Sequence, residues 1–204
     1  MPAEMIRDAA LAAGGLLDTA LGGPPVFPPQ PEGVWPGFGA DDVWVTSDAR
    51  DRYRRALYTY WRRTTPYPAF VAFDAPSREV CVTRRARTNT PLQALTTLND
   101  PAFFEAAASL ARRALTEASG DGRERLAYAF RLCVSRHPSD KELSRLETFL
   151  ATQRERFRRE PGLARRIGQG SGVARPESVE AAEFAAWALL ANALLNLDEA
   201  LTKS

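Results

Sequence analysis

The sequence predicts a mainly α-helical fold: a helical bundle with a small antiparallel β element inserted near its amino end. After residue 90, apolar residues recur every three or four positions, which is the period of a helix buried on one face. Thr90, Asp100 and Ser139 stand where helices would begin, and their residue types commonly cap helix starts. Between residues 43 and 87, aromatic and β-branched residues bounded by turn formers favour strands instead.

The amino-terminal part of the chain begins with a predicted helix and a long loop. Apolar residues at helical spacing predict an amphipathic helix from Pro2 to about Leu17, within a helical region over residues 1–21. The prolines and glycines of residues 22–42 exclude regular structure. Three apolar residues are expected to anchor this loop to the rest of the molecule: Val26, Phe27 and Trp35.

Residues 43–87 form the predicted β element, which is rich in arginine. The strand candidates are "DVWVTS", "RYRRALYTYWRR" and "REVCVTRR", and the first two, joined by "DAR", predict a hairpin. Neither face of the second candidate is cleanly apolar, so a helix is the competing interpretation there. A short helix from about Ala69 to Phe73, flanked by prolines, is expected before the third candidate.

Residues 88–204 predict the helical bundle. Four helices are marked by apolar residues at helical spacing: Phe103, Ala107, Leu110, Ala111 and Ala114; Leu126, Phe130, Cys133 and Val134; Leu143, Leu146, Leu150 and Phe157; and Phe184, Trp187, Ala191, Leu194 and Leu195. A loop, "PGLARRIGQGSGVARPES", is expected between the last two.

Charge is concentrated in one part of the chain. The whole chain carries only +2, yet ten arginines lie between Arg50 and Arg87 against three acids, which leaves 10 − 3 = +7 locally. Solvated arginines and internal ion pairs would explain this surplus without any partner, because guanidinium stems also cover apolar surface. A site for an anionic partner is the other explanation.

Several classes of function lack their sequence signals. Cys81 and Cys133 predict buried free thiols. His137 is the only histidine, so a zinc site or a serine or cysteine triad would have to be built on it alone. Glycine-rich nucleotide loops and haem-attachment motifs are absent from the sequence. No signal peptide is visible, and the longest apolar stretch contains Glu183, Asn192 and Asn196, so it predicts a buried helix and no membrane span.

The densest polar stretch, "RRARTNTPLQALTTLND", contains both helix-start signals and a candidate site. Thr90 with Gln93 fits a capping box, and Asp100 before Pro101 fits the start of the next helix. Other polar residues remain unexplained by capping, and they lie beside a helix amino terminus that favours anions. With two residues of the β element they form the predicted anion- or partner-binding set: Arg55, Tyr58, Arg84, Arg85, Arg87, Thr88 and Asn99. The alternative is an internal pair of Arg84 or Arg85 with Asp74 or Glu79.

Four stretches in order resemble a known family: "GGPPVFPPQPEGVW", "DRYRRALYTYWRRTTPYPAFVAFDAPSREVCVTRRARTNTPLQALTTLNDPAF", "RLAYAFRLCVSRHPSDKEL" and "WALLANALLNLDEALTK". They are similar to the carboxy-terminal part of the planctomycete-type family of unknown function numbered fifteen fifty-three. The resemblance implies that residues 1–204 are a single domain, the carboxy-terminal portion of a larger domain in an exported or periplasmic multidomain protein. It also implies a companion domain and, often, c-type haem in a separate module, with no cofactor in this chain.

Two functions are compatible with this reading. The first is a non-catalytic binding or scaffolding module that contacts an acidic companion domain or an anionic polysaccharide. The second is an accessory part of an enzyme that acts on polysaccharide or in electron transfer, to which Tyr58, Asp74 or His137 would contribute. Nucleic acid is not an expected partner, although Tyr58, Tyr60 and Trp61 could stack on bases, because the resemblance implies export.

Overall fold

The protein is mainly α-helical in the residues that the computed structural model describes, 1–34 and 43–202. Nine α-helices form over these ranges: α1 Ala3–Ala13, α2 Pro68–Ala72, α3 Pro91–Asn99, α4 Pro101–Thr116, α5 Gly122–Val134, α6 Asp140–Arg159, α7 Pro161–Gly170, α8 Ala181–Leu195 and α9 Asp198–Leu201. The prediction of a helical fold is confirmed. The expected anchor Trp35 lies outside the described residues.

Helix α8 occupies the centre of the bundle. Its residues are apolar on every side, and a helix of that kind is stable only when neighbours surround it. It packs against α4, α6 and α7, and Phe184, Trp187 and Leu190 are almost completely buried. Arg154 of α6 holds the first turn of α8 in place, because it donates to both oxygens of Glu183 at 2.5 and 2.7 Å.

Helix starts follow the predicted capping residues. The hydroxyl of Thr90 accepts from the Gln93 amide and the Gln93 side chain accepts from the Thr90 amide, so the capping box is complete. Ser139 and Glu142 form a second complete box, and the Asp100 carboxylate accepts from the amide of Ala102. These caps satisfy donors that have no partner within the helix, which confirms the three predicted starts.

Helix α1 is shorter than predicted. It ends at Ala13 because Gly14 and Gly15 follow, and the amides of Leu16 and Leu17 both donate to the carbonyl of Leu11. Gly14 lies against α4 so closely that a Cβ there would come within 2.7 Å of the Ala106 carbonyl oxygen. Close approach to α4 therefore ends the helix, although its apolar spacing continues to Leu17.

The predicted β element is wrong. Residues 43–87, all of which the structure describes, contain two 3₁₀ turns (Ala49–Tyr53 and Ala56–Tyr58), helix α2 and no strand. The predicted hairpin is replaced by two isolated parallel bridges to the preceding loop, Asp18 with Arg54 and Val26 with Thr59. A strand needs a neighbouring strand, and none of the three candidates has one.

Buried guanidinium groups donate hydrogen bonds to backbone carbonyls, a role that backbone amides would have in a β-sheet. Arg7, only 2% exposed, donates to the carbonyls of Arg52 and Arg54 at 2.6 and 2.9 Å. Arg54 in turn donates to the carbonyls of Gly22 and Pro24. Because buried carbonyls must be paired by some donor, these contacts allow the segment to pack without regular structure.

Three smaller expectations have mixed outcomes. Val26 is buried and Phe27 stacks on Tyr60 with ring centroids 4.8 Å apart, so these two anchors are confirmed. The short helix between prolines is confirmed as α2. The predicted loop between the last two helices is wrong in its first half, because Pro161 and the residues after it form α7.

Candidate anion-binding site

The predicted arginines converge on a cleft in front of α3. The cleft has a volume of about 380 Å³, within the range of small-molecule sites, and lies between α1, α2, α9 and the segment that leads into α3. Ile6 and Phe73 give it an apolar lining. Four of the predicted residues also line it: Arg84, Arg85, Arg87 and Thr88.

One wall of the cleft is a hydrogen-bonded chain from Asp74 to α3. Asp74 has a left-handed backbone with φ 58°, which aspartate tolerates better than most residues. Its carboxylate accepts from the Thr88 amide and from the Thr88 hydroxyl, both at 2.8 Å. The Thr88 hydroxyl accepts in turn from Gln93 Nε2 at 3.1 Å. Thr88 therefore ties α2 to the start of α3.

Arg85 is held by an internal carboxylate. Its two terminal nitrogens donate to both oxygens of Glu4 at 2.7 and 3.1 Å. Partial burial alone would raise the pKa of Glu4, but the hydrogen bonds and charge of Arg85 outweigh burial and hold that pKa below its usual value. Arg85 therefore forms an internal pair. Its partner is Glu4 of α1 and neither of the predicted partners, Asp74 and Glu79.

Arg84 and Arg87 differ from Arg85. Both are exposed, and among the described residues neither has a hydrogen-bond or salt-bridge partner for its guanidinium. Asn89 lies beside them on the cleft wall, with its amide also exposed. Unpaired guanidinium groups at the rim of a concave surface are suited to bidentate contact with a carboxylate or sulfate.

The other predicted residues lie away from the cleft. Arg55 pairs with Asp8 at 3.3 Å. The Tyr58 hydroxyl accepts from the Gly22 amide, and its ring lies 4.1 Å from the guanidinium of Arg54. Asn99 donates to the Leu95 carbonyl within its own helix. These three side chains therefore have internal partners, and none of them lines the cleft.

Carboxylates from other segments neutralise much of the local charge. Four acids outside residues 50–87 each pair with an arginine inside that range: Asp18 with Arg50, Glu105 with Arg52, Asp8 with Arg55, and Glu4 with Arg85. Subtracting four from +7 leaves +3 for this region. The tertiary structure thus reduces the apparent charge concentration. Of the arginines in residues 50–87, Arg63, Arg84 and Arg87 have no hydrogen-bond, salt-bridge or aromatic-ring partner for their guanidinium groups among the described residues, and of these Arg84 and Arg87 line the cleft.

Sequence reasoning missed several cleft residues. Ile6, Phe73 and Asp198 line it from three helices or helix ends that are far apart in the chain. Nothing in the local pattern of Ile6 separates it from the other buried residues of α1. Asp74, which the sequence offers as a partner for Arg84 or Arg85, accepts a hydrogen bond from the Thr88 amide instead.

The enzymatic candidates do not come together. Asp74 lines the cleft, Tyr58 packs beside Gly22, and His137 borders a separate open depression with Tyr128 and Glu117. Cys81 is exposed, contrary to the prediction, whereas burial raises the pKa of the Cys133 thiol to about 12. Within the described residues, no cluster of His, Cys, Asp and Glu could hold a metal ion. The same part of the chain has no helix long and apolar enough to span a membrane.

Comparison with known proteins places the chain in a family of uncharacterised proteins. The family PSD1, described as a protein of unknown function (DUF1553), matches residues 1–150. The chain therefore belongs to the DUF1553 family, as its sequence motifs indicate. Neither the curated proteins nor the solved structures include a significant match.

Proposed function

We propose that the chain is a non-catalytic binding module that recognises an anionic saccharide in the cleft before α3. The observation that carries this proposal is the pair Arg84 and Arg87, which line the cleft and whose guanidinium groups have no hydrogen-bond or salt-bridge partner among the described residues. Carboxylated or sulfated sugars present the planar anionic groups that such a pair binds with two parallel hydrogen bonds.

The rest of the cleft supports a saccharide more than a flat protein surface. Its concave shape and volume of about 380 Å³ suit a ligand of one or two sugar rings. Asp74 and Asn89 offer hydrogen-bond acceptors and donors for hydroxyl groups, and Phe73 and Ile6 offer an apolar floor for the carbon face of a ring. For the second function, an accessory part of an enzyme, the described residues do not bring Tyr58, Asp74 and His137 together.

Isothermal titration of the chain with acidic oligosaccharides tests this proposal. The probes are an oligogalacturonate, a chondroitin sulfate fragment and a neutral cello-oligosaccharide, each at two salt concentrations. We expect an acidic probe to bind, the neutral probe not to bind, and higher salt to weaken binding because ion pairs at an open site are screened.

Matched variants locate the binding. Arg84→Ala with Arg87→Ala should weaken binding by at least about tenfold, since each charge-assisted hydrogen bond contributes about 1.5–3 kcal/mol. Arg145→Ala, at an exposed arginine on α6, is the control and should leave affinity unchanged. An absence of salt-sensitive binding to both acidic probes, or equal loss in the control, would refute the proposal.

A further inference from the structure

Helix α3 exposes its leucines to solvent and buries polar residues. Leu92, Leu95 and Leu98 are 60%, 55% and 39% exposed, whereas Gln93 and Thr97 on the opposite face are 7% and 0% exposed. A surface helix normally buries its apolar residues and exposes its polar ones. We name Leu92, Leu95 and Leu98 the leucine face.

Hydrogen bonds hold the polar face of α3 inward. The hydroxyl of Thr97 donates to Asn196 Oδ1 at 2.6 Å, and Asn192 Nδ2 donates to the Thr97 carbonyl at 3.2 Å. Rolling the helix to bury its leucines would leave these buried polar atoms without partners. The leucine face is therefore fixed toward solvent by the interior of the same protein.

A neighbouring helix adds an exposed apolar residue, and the segment that leads into α3 is cationic. Val71, on the neighbouring helix α2, is 58% exposed. No acidic residue occurs from Val80 to Asn99. In the described part of the chain, the arginines of this stretch without a hydrogen-bond or salt-bridge partner are Arg84 and Arg87. A complementary surface would present apolar side chains to α3 and acidic side chains toward its amino end.

We infer that the leucine face docks an acidic amphipathic helix of a partner protein. The leucines recur at every third residue, so they lie on successive turns of one side of α3 and can contact a single partner helix. The carboxylates of the partner would face Arg84 and Arg87 and fix the direction in which it lies. The apolar contacts on α3 are separate from the saccharide site, whereas the choice of an acidic partner uses the same two arginines, Arg84 and Arg87, as the proposed function.

Fluorescence anisotropy with two designed peptides tests the inference on the full chain. Both are labelled amphipathic helices of about 20 residues with the same leucine stripe, and their polar face is glutamate in one and lysine in the other. We expect the glutamate peptide to bind and the lysine peptide to bind at least about tenfold more weakly, because like charges meet at Arg84 and Arg87.

Variants separate the leucine face from the rest of the surface. Leu92→Ser with Leu95→Ser should weaken peptide binding by about tenfold or more while leaving the melting temperature and acidic saccharide binding unchanged. Leu57→Ser, at a leucine that is 65% exposed, is the control and should have no effect. Equal affinity in the double variant would overturn the inference. So would concentration-dependent dimers that the double variant abolishes, because the occupant would then be a second copy, and so would binding to lipid vesicles.

Discussion

The helical core and the arginine-rich region satisfy their backbone hydrogen-bonding groups in different ways. In α4, α6 and α8 the backbone amides after the first turn find their partners four residues away, so most of the polar backbone is satisfied locally. In residues 43–87 the partners are distant: the amide of Val26 donates to Tyr58, and the guanidinium of Arg7 serves carbonyls more than forty positions along. The first structure depends on local pattern and the second on assembly of the whole fold.

Apolar residues show the same contrast. Leu110 in α4 is fully buried between α1 and α8, whereas Leu95 in α3 points to solvent at 55% exposure. Both are leucines in the middle of helices, and helix propensity does not distinguish them. Their different surroundings make them a matched pair for testing how stability is distributed.

Leu110→Ala should have the largest effect on stability. Removing a fully buried leucine side chain loses its transfer free energy and leaves a cavity, so the free energy of unfolding should fall by about 2–5 kcal/mol. Leu95→Ala should change the free energy of unfolding by about 0.5 kcal/mol or less. Urea denaturation of both variants checks this. Similar losses in the two variants would show that α3 is more deeply packed than its exposure indicates.

Asp100→Asn should change the pH dependence of stability. Burial raises the pKa of Asp100 to about 6, and its Oδ2 has no hydrogen-bond partner among the described residues. Since the folded-state pKa lies above the unfolded value, the folded protein holds this proton more tightly. Stability from this group is therefore present below about pH 4 and is lost as pH rises through 6.

The size of this loss should be about 2–3 kcal/mol, from a shift of about two pKa units at 1.36 kcal/mol each. Urea denaturation of both proteins from pH 3.5 to 7 measures it. Carboxylates with lowered pKa values, such as Glu4, make stability increase with pH instead. They are present in both proteins, so their effect cancels when the two free energies of unfolding are subtracted. A constant difference across the range would mean that Asp100 does not titrate there.

Arg85→Ala should have a smaller effect on stability than Leu110→Ala or Asp100→Asn. Its pair with Glu4 is partly exposed, so the free energy of unfolding should fall by about 0.5–1 kcal/mol at neutral pH. This difference should disappear in acid, because the lowered pKa of Glu4 means that its contribution is lost as it becomes protonated. Thermal unfolding at two pH values checks it, with Arg84→Ala as the unpaired control that should change nothing. A loss of stability in Arg84→Ala would reveal a partner for that arginine.

The candidate site was predictable in part. Thr90, Gln93 and Asp100 are local capping signals, so the starts of α3 and α4 follow from neighbouring residues. Which arginine forms an ion pair does not follow from neighbouring residues. Arg85 pairs with Glu4 of α1, whereas Arg84 pairs with no carboxylate among the described residues, and two adjacent identical residues carry no local signal of that difference.

The sequence by itself determined the helices from α3 to α6 and α8, because capping residues and apolar spacing act over three or four positions. It also determined that the chain belongs to the DUF1553 family. Only the tertiary structure decided the fate of the strand-like segments, since β pairing requires a neighbour that local composition cannot supply. It also decided that the leucines of α3 point outward, because Thr97 meets Asn192 and Asn196, which lie about a hundred residues away.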